Sequence, residues 1–114
     1  MLSRKYKLKR DNDFRKVFKQ GRYYHGNFIR IKILKNELDV SRFGFIVGLK
    51  ISKKATERNK IRRRLEQAVR LNLNQIKDGF DVVVLAEKEI KEKEYLSIEE
   101  VLLNLFQKAK LWKS

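Results

Sequence analysis

The spacing of hydrophobic residues changes along this chain, and the change limits the folds that it can adopt. Ile29, Ile31 and Ile33 alternate with residues of a second face, which is typical of a half-exposed β-strand. In residues 56–73 the apolar residues instead recur every three or four positions, as in an amphipathic helix that Thr56 can cap. These residues are Ile61, Leu65, Ala68 and Val69. The sequence therefore predicts a fold that mixes helices and strands.

One further helix is predicted at each end of the chain. Residues 11–13 offer N-capping side chains, and Gly21 follows at the C′ position of a short first helix. Near the C-terminus, Ser97 and Glu100 have the spacing of a capping box. The apolar stripe that follows consists of Ile98, Val101, Leu102, Leu105, Phe106, Ala109 and Trp112. We expect Trp112 to anchor this last helix to the core.

Two more strands are predicted, one before and one after the central helix. Residues 42–48 follow a turn and are expected to pair antiparallel with the first strand. Residues 80–86 are almost continuously apolar, which is typical of a strand covered on both faces. The predicted order is helix, two or three strands, helix, strand, helix, which defines an α+β two-layer sandwich. The length of 114 residues corresponds to a single domain, residues 1–114.

The charge of the chain indicates a polyanionic partner. There are 29 Lys and Arg residues against 14 Asp and Glu residues, and a formal net charge of +15 destabilises a compact state by self-repulsion. Nucleic acid is the first candidate partner and a membrane surface is the second. Since 42% of the residues are hydrophobic, the chain is expected to fold rather than to form a disordered basic tail. The lack of cysteine and of a membrane-spanning apolar run predicts a cytoplasmic protein without membrane segments.

The central helix carries the main candidate binding surface. Basic residues in its first turn oppose the helix dipole unless an anion binds there. Arginine can hold two phosphate oxygens at once, and asparagine can hydrogen-bond to a ribose or base edge. The predicted RNA-binding residues are Lys50, Lys53, Lys54, Arg58, Asn59, Lys60, Arg62, Arg63 and Arg70. The alternative is a solvated helix face without a ligand, which the small number of nearby acidic residues, Glu57 and Glu66, disfavours.

Aromatic residues supply the second property of a nucleic-acid site, because bases stack on rings. Phe14 and Phe18 have i, i+4 spacing, so at least one of them is expected in the core. Phe28 is predicted to share a strand face with Arg30 and Lys32, where pure core packing would be unusual. That face is therefore predicted to line a groove. Further candidates for stacking are Tyr23 and Tyr24.

The chain offers little for catalysis of its own. His25, the only histidine, lies in a predicted surface loop, and the chain has no cysteine. Asp11 and Asp13 are interpreted as caps and Asp81 as part of a strand, so they do not predict a metal site. No catalytic residue is therefore predicted, and an independent metal nuclease is the least favoured alternative.

The segment from Gly44 to Arg64, GFIVGLKISKKATERNKIRRR, resembles the signature of the protein component of bacterial ribonuclease P. The core of the signature is Ala55-x-x-Arg58-Asn59-Lys60-Ile61-Arg62-Arg63. The match extends in the same order to Asp13-Phe14, Val17-Phe18 and Gly21, to Arg42-x-Gly44, and to residues 79–84. The resemblance thus covers most of the chain.

The resemblance implies a fold, an activity and partners. The implied fold is an α+β sandwich with a left-handed βαβ crossover, described as ribosomal protein S5 domain 2-like. The implied activity is 5′ maturation of precursor tRNA by a catalytic RNA that uses magnesium, with the protein as an accessory subunit that binds no cofactor. The implied partners are that RNA, with one protein per RNA, and the single-stranded 5′ leader. By position, the leader cleft would comprise Phe14, Phe18, Phe28, Arg30 and Lys32.

Four residues depart from the family pattern. Leu49, Arg64 and Glu66 stand where the family usually has a lysine, an apolar residue and an arginine, respectively. Ile31 stands where an aromatic residue is common, so stacking on the leader would be weaker or would fall to Tyr23 or Tyr24. The remaining alternative is a ribosome-associated or other structural RNA-binding protein without a role in cleavage.

Overall fold

The computed structural model describes residues 2–113 of the chain. These residues form three α-helices and four β-strands in the order α-β-β-β-α-β-α, which confirms the expected α+β order with three strands before the central helix. The elements are α1 (Asp11–Gln20), β1 (Arg22–His25), β2 (Ile29–Lys35), β3 (Arg42–Ile46), α2 (Ala55–Leu71), β4 (Phe80–Ala86) and α3 (Tyr95–Lys108). Short 3-10 helices cover Arg4–Tyr6, Leu73–Gln75 and Lys88–Glu92.

The strands form a sheet in the order β1-β2-β4-β3. β2 pairs antiparallel with β1 and with β4, whereas β3 pairs parallel with β4. The predicted antiparallel pairing between β2 and β3 is therefore wrong, because the most apolar strand, β4, is buried between them. Parallel neighbours need a long connection, and α2 provides it between β3 and β4. This β3-α2-β4 unit is the βαβ crossover that the resemblance implies, and its left-handed sense stays a prediction.

Helices pack on both faces of the sheet. The larger apolar cluster lies between the sheet and the helices α2 and α3, and the smaller one contains Leu8, Val17 and Val83 beside α1. The predicted coverage of β4 on both faces is confirmed, since Val82 and Val84 belong to the larger cluster. The predicted apolar face of α2 is also confirmed. Its members Ile61, Leu65, Ala68 and Val69 are 0–4% exposed.

Gly21 follows α1 for a reason other than the predicted one. Its φ of −76° lies outside the left-handed region that a C′ glycine usually adopts. A Cβ atom at this position would lie 2.5 Å from the carbonyl oxygen of Val17 and 2.9 Å from that of Ile33. Glycine thus allows the end of α1 to approach β2 closely. Asp11 and Asp13 lie in the first turn of α1, where carboxylates favour the helix dipole, rather than at its N-cap.

The last helix begins at Tyr95, three residues before the start that a Ser97 cap would give. Tyr95 starts α3 and packs against the larger cluster, so Ser97 and Glu100 lie inside the helix and the predicted capping box is wrong. Trp112 follows the helix instead of lying on it. It forms a β-bridge with Ile76 and packs against the larger cluster.

Candidate RNA-binding site

α2 presents its basic residues to solvent because its apolar side is buried against the sheet. Asn59, Lys60, Arg63 and Arg70 are exposed, and Arg58 and Arg62 are half-buried. Arg62 Nη1 donates a hydrogen bond to Asn59 Oδ1 at 2.5 Å, so these two side chains form one polar unit. The structure therefore brings the predicted residues of α2 together on the solvent side of one helix.

Ser52 organises the first turn of α2. Its Oγ accepts a hydrogen bond from the Lys54 backbone N–H at 3.1 Å and donates one to Glu57 at 2.5 Å. Arg58 donates a third hydrogen bond to the Ser52 carbonyl oxygen at 2.9 Å. Thr56 lies inside this turn, so its predicted capping role is wrong. The hydrogen bond from Ser52 lowers the pKa of Glu57. The predicted lysines of the preceding loop, Lys50, Lys53 and Lys54, are exposed.

Glu66 is a carboxylate within this basic helix, and its partner is a lysine that the sequence did not single out. Glu66 is 6% exposed, and its Oε1 lies 3.5 Å from Nζ of Lys7. Lys7 reaches α2 because the N-terminal segment pairs with the edge strand β3, where the Leu8 N–H donates to the Phe43 carbonyl oxygen at 2.9 Å. Sequence reasoning missed Lys7 because this pairing depends on the tertiary fold.

Phe14 lies directly on the backbone of β3 at Gly44. A Cβ atom at Gly44 would be 2.5 Å from Cε1 of Phe14, so glycine leaves the space that the ring occupies. Phe14 is half-buried and packs against the smaller cluster with Val17. Phe18 is 38% exposed. The expectation that at least one of the two phenylalanines packs in the core is thus met by Phe14.

The register of the sheet extends this aromatic surface across the strands. Cross-strand partners lie side by side on one face of a sheet. One row on the α1 face consists of Tyr23, Lys32, Val83 and Gly44, and α1 packs on it. The next row consists of His25, Arg30, Leu85 and Ile46, whose side chains are exposed or half-buried. We call the surface formed by this second row with Phe14, Phe18 and Lys32 the sheet groove.

Cations lie beside the exposed rings of the sheet groove and its margin. Lys32 Nζ donates to the Phe18 carbonyl oxygen at 2.5 Å and lies 5.8 Å from the centre of the Phe18 ring. The guanidinium carbon of Arg30 lies 5.9 Å from the centre of the Tyr23 ring. These separations are those of cation–π pairs. A ring next to a cation can receive a stacked base and the phosphate that accompanies it.

Phe28 lies outside the sheet groove, so the predicted strand face is wrong at this residue. Its φ of 42° is in the left-handed region just before β2, and this interrupts the alternation that continues from Ile29. The side chain packs against the larger cluster, and Lys93 Nζ lies 5.5 Å from the ring centre. Of the predicted cleft residues, the structure brings together Phe14, Phe18, Arg30 and Lys32.

Arg42 and Asp81 join β3, β4 and α1. Arg42 Nε and Nη2 donate to the two carboxylate oxygens of Asp81 at 2.9 and 2.7 Å, and Asn36 donates to Asp81 at 2.8 Å. Asp13 of α1 lies 3.5 Å from Arg42 Nη1. The hydrogen bonds to Asp81 raise the pKa of Arg42 despite its partial burial. Asp13 and Asp81 thus serve the attachment of α1 to the sheet.

His25 lies in β1 rather than in the predicted loop, and its ring hydrogen-bonds to Glu87. Within residues 2–113, no group of three or more His, Asp and Glu side chains is arranged to hold a metal ion. Over the same residues, no helix has both the length and the apolarity that crossing a membrane requires.

A cationic helix beside an aromatic groove, on a small and strongly basic α+β fold, defines a protein of the RNA-binding class. Comparison with known proteins specifies the family. The ribonuclease P family model matches residues 2–110. The chain is 40% identical over 102 residues to the ribonuclease P protein component of Clostridioides difficile, with 89% of each chain covered. It is 37% identical over 108 residues to that of Fusobacterium nucleatum, covering 91% of this chain and 96% of the relative.

Solved structures agree with the sequence comparison. The RNase P protein from Thermotoga maritima has a TM-score of 0.83 and 33% identity, covering 90% of this chain and 96% of that one. The RNase P protein of Staphylococcus aureus has a TM-score of 0.87 and 27% identity, covering 95% and 98%. The chain belongs to the ribonuclease P protein family, which confirms the resemblance found in the sequence. It is the accessory protein subunit of this endoribonuclease and acts in 5′ processing of tRNA.

Proposed function

We propose that the chain binds the catalytic RNA of ribonuclease P through α2 and holds the 5′ leader of precursor tRNA in the sheet groove. The observation that carries this proposal is the continuity of the two surfaces. Ile46, the last residue of β3, lies in the second row of the groove, and the basic loop and first turn of α2 follow it directly. A leader in the groove would therefore lie next to the RNA bound by the helix.

The proposed contacts divide between the two surfaces. Those with the catalytic RNA are Lys50, Lys53, Lys54, Arg58, Asn59, Lys60, Arg62, Arg63 and Arg70. Those with the leader are Phe14, Phe18, Arg30 and Lys32. We leave Phe28 out of the second set because its ring packs against the larger cluster.

The role proposed for the protein is to reduce the repulsion between the two RNAs and to position the leader next to the catalytic RNA. Two RNAs repel each other, and a chain with a net charge of +15 lowers that repulsion where they meet. The cleavage chemistry, including its magnesium ions, is assigned to the catalytic RNA. We further propose that the chain acts as a single RNA-binding domain, with one protein per catalytic RNA, in the cytoplasm.

Reconstitution tests this proposal. The purified chain alone should leave precursor tRNA intact, and addition of the chain to a bacterial ribonuclease P RNA at low magnesium should restore cleavage at the 5′ end of the mature tRNA. The single variants Arg62→Ala and Arg63→Ala should each restore less cleavage at the same protein concentration. Lys77→Ala serves as the matched control, because Lys77 is exposed and follows the opposite end of α2. Absence of stimulation by the unmodified chain would contradict the proposal.

A further inference from the structure

We propose that Tyr23 and His25 form a further base-stacking subsite for the leader, at the β1 margin of the sheet groove. This inference rests on the proposed function and adds to it a second contact point on the same single-stranded RNA. We call the group of Tyr23, His25, Arg30 and Glu87 the β1 platform, which shares His25 and Arg30 with the sheet groove.

The rings of the β1 platform are exposed and preorganised. Tyr23 is 49% exposed, and the His25 side chain is 55% exposed. Their ring centres are 6.1 Å apart with an angle of 22° between the planes, so the two rings present nearly parallel faces. Rings that are already aligned lose little conformational freedom when a base stacks on them.

Glu87 positions the second ring of this pair. The Nε2 of His25 lies 2.8 Å from Glu87 Oε1, which accepts a hydrogen bond from the ring N–H. Glu87 is placed by the backbone, because its N–H donates to the Phe28 carbonyl oxygen at 3.0 Å. The carboxylate therefore holds His25 in the orientation that faces Tyr23.

Arg30 supplies the cation. Its guanidinium lies beside the Tyr23 ring, and its Nε, 3.7 Å from Glu87 Oε2, is buried and has no hydrogen-bond partner within residues 2–113. The Arg30 side chain is 38% exposed, and the exposed part of its guanidinium can donate to a phosphate oxygen of a bound nucleotide.

The position of the β1 platform defines which part of the leader it would bind. Tyr23 is the cross-strand partner of Lys32, which lies against Phe18, so the platform is continuous with the groove but farther from α2. If the catalytic RNA is bound at α2, a nucleotide on the platform belongs to the part of the leader farthest from the cleavage site. Short leaders would therefore not reach it.

The neighbouring tyrosine does not share this geometry. Tyr24 is half-buried and packs against the larger cluster on the other face of the sheet, as expected for successive residues of a strand. The structure thus selects Tyr23 from the two tyrosines that the sequence leaves as candidates.

The test measures binding of the reconstituted holoenzyme to precursor tRNAs whose leaders are shortened one nucleotide at a time. Tyr23→Ala should weaken binding of long leaders about tenfold, the order expected for loss of one base–aromatic stack, and should not affect leaders too short to reach the platform. Tyr23→Phe keeps the ring and should bind like the unmodified protein. Tyr24→Phe is the matched control and should also have no effect.

The outcomes separate this inference from the proposed function. If affinity rises with leader length and Tyr23→Ala binds like the unmodified protein at every length, the β1 platform is ruled out and the leader groove stands. An equal loss at every length would also overturn the inference, because it would indicate a general effect on the fold. If the unmodified protein binds all leader lengths equally, the proposed leader role fails together with the platform.

Discussion

Gly44 illustrates how a single residue shapes the sheet groove. The Phe14 ring lies where a side chain at this position would be, since an added Cβ would be 2.5 Å from Phe14 Cε1. Gly44→Ala should therefore displace the ring and destabilise the fold by about 1–3 kcal/mol, the usual cost of overpacking. Urea unfolding would show this as a lower midpoint with an unchanged slope. Leader affinity of the holoenzyme should fall as well, because Phe14 forms part of the groove.

Gly48 provides the control for this substitution. It follows the same strand, and no atom of the described residues lies within 4 Å of the Cβ that alanine would add, its own chain neighbours aside. Gly48→Ala should therefore change the unfolding midpoint and the leader affinity little. Equal unfolding midpoints for the two variants would contradict the role assigned to Gly44.

At the scale of elements, the hydrophobic periodicity predicted which faces of the helices and strands are buried. The capping signals did not predict where the helices begin. The apolar face of α2 could be predicted because burial against the sheet requires four residues at helical spacing. The start of α2 could not be predicted, because the residue that hydrogen-bonds to its first turn is Ser52. Ser52 lies in a loop whose sequence shows only a basic character. The position of β3 could not be predicted either. Because β2 and β3 are hydrophobic and are separated by a turn, their sequences suggest a hairpin. In the structure β4, the most apolar strand, lies between them and is buried on both faces.

The first turn of α2 should respond to acid through Glu57. Its pKa is lowered in the folded protein, chiefly by the hydrogen bond from Ser52, so its contribution to stability is present above the ordinary glutamate pKa. That contribution is lost as the pH falls through the lowered value. Ser52→Ala should move the Glu57 titration midpoint, followed by carboxyl NMR, upward towards the ordinary value. Ser52→Thr keeps the hydroxyl group and should leave the midpoint low, whereas an unchanged midpoint in the alanine variant would refute the assignment.

At the scale of the whole molecule, the sequence defined the class and the family but not the assembly of the site. Charge and the Arg58-Asn59 spacing are local signals, and the family that they indicated is the one whose model matches residues 2–110. The contact between Lys7 and Glu66 and the rows across the sheet depend on which strands are neighbours. The position of the Phe28 ring could not be predicted from the sequence either. The positive φ of Phe28 directs its ring away from the expected strand face and into the larger cluster.

The charge of the molecule leads to a prediction about salt. If Arg62 and Arg63 each neutralise a phosphate of the catalytic RNA, replacing either by alanine should reduce the slope of log affinity against log salt by about one unit. Lys77→Ala removes the same formal charge at an exposed position beyond the far end of α2, and it should leave the slope unchanged. Affinities measured by filter binding over a series of salt concentrations would give the slopes. A reduction by Lys77→Ala equal to that of the arginine variants would mean that total charge, and not the surface of α2, determines binding.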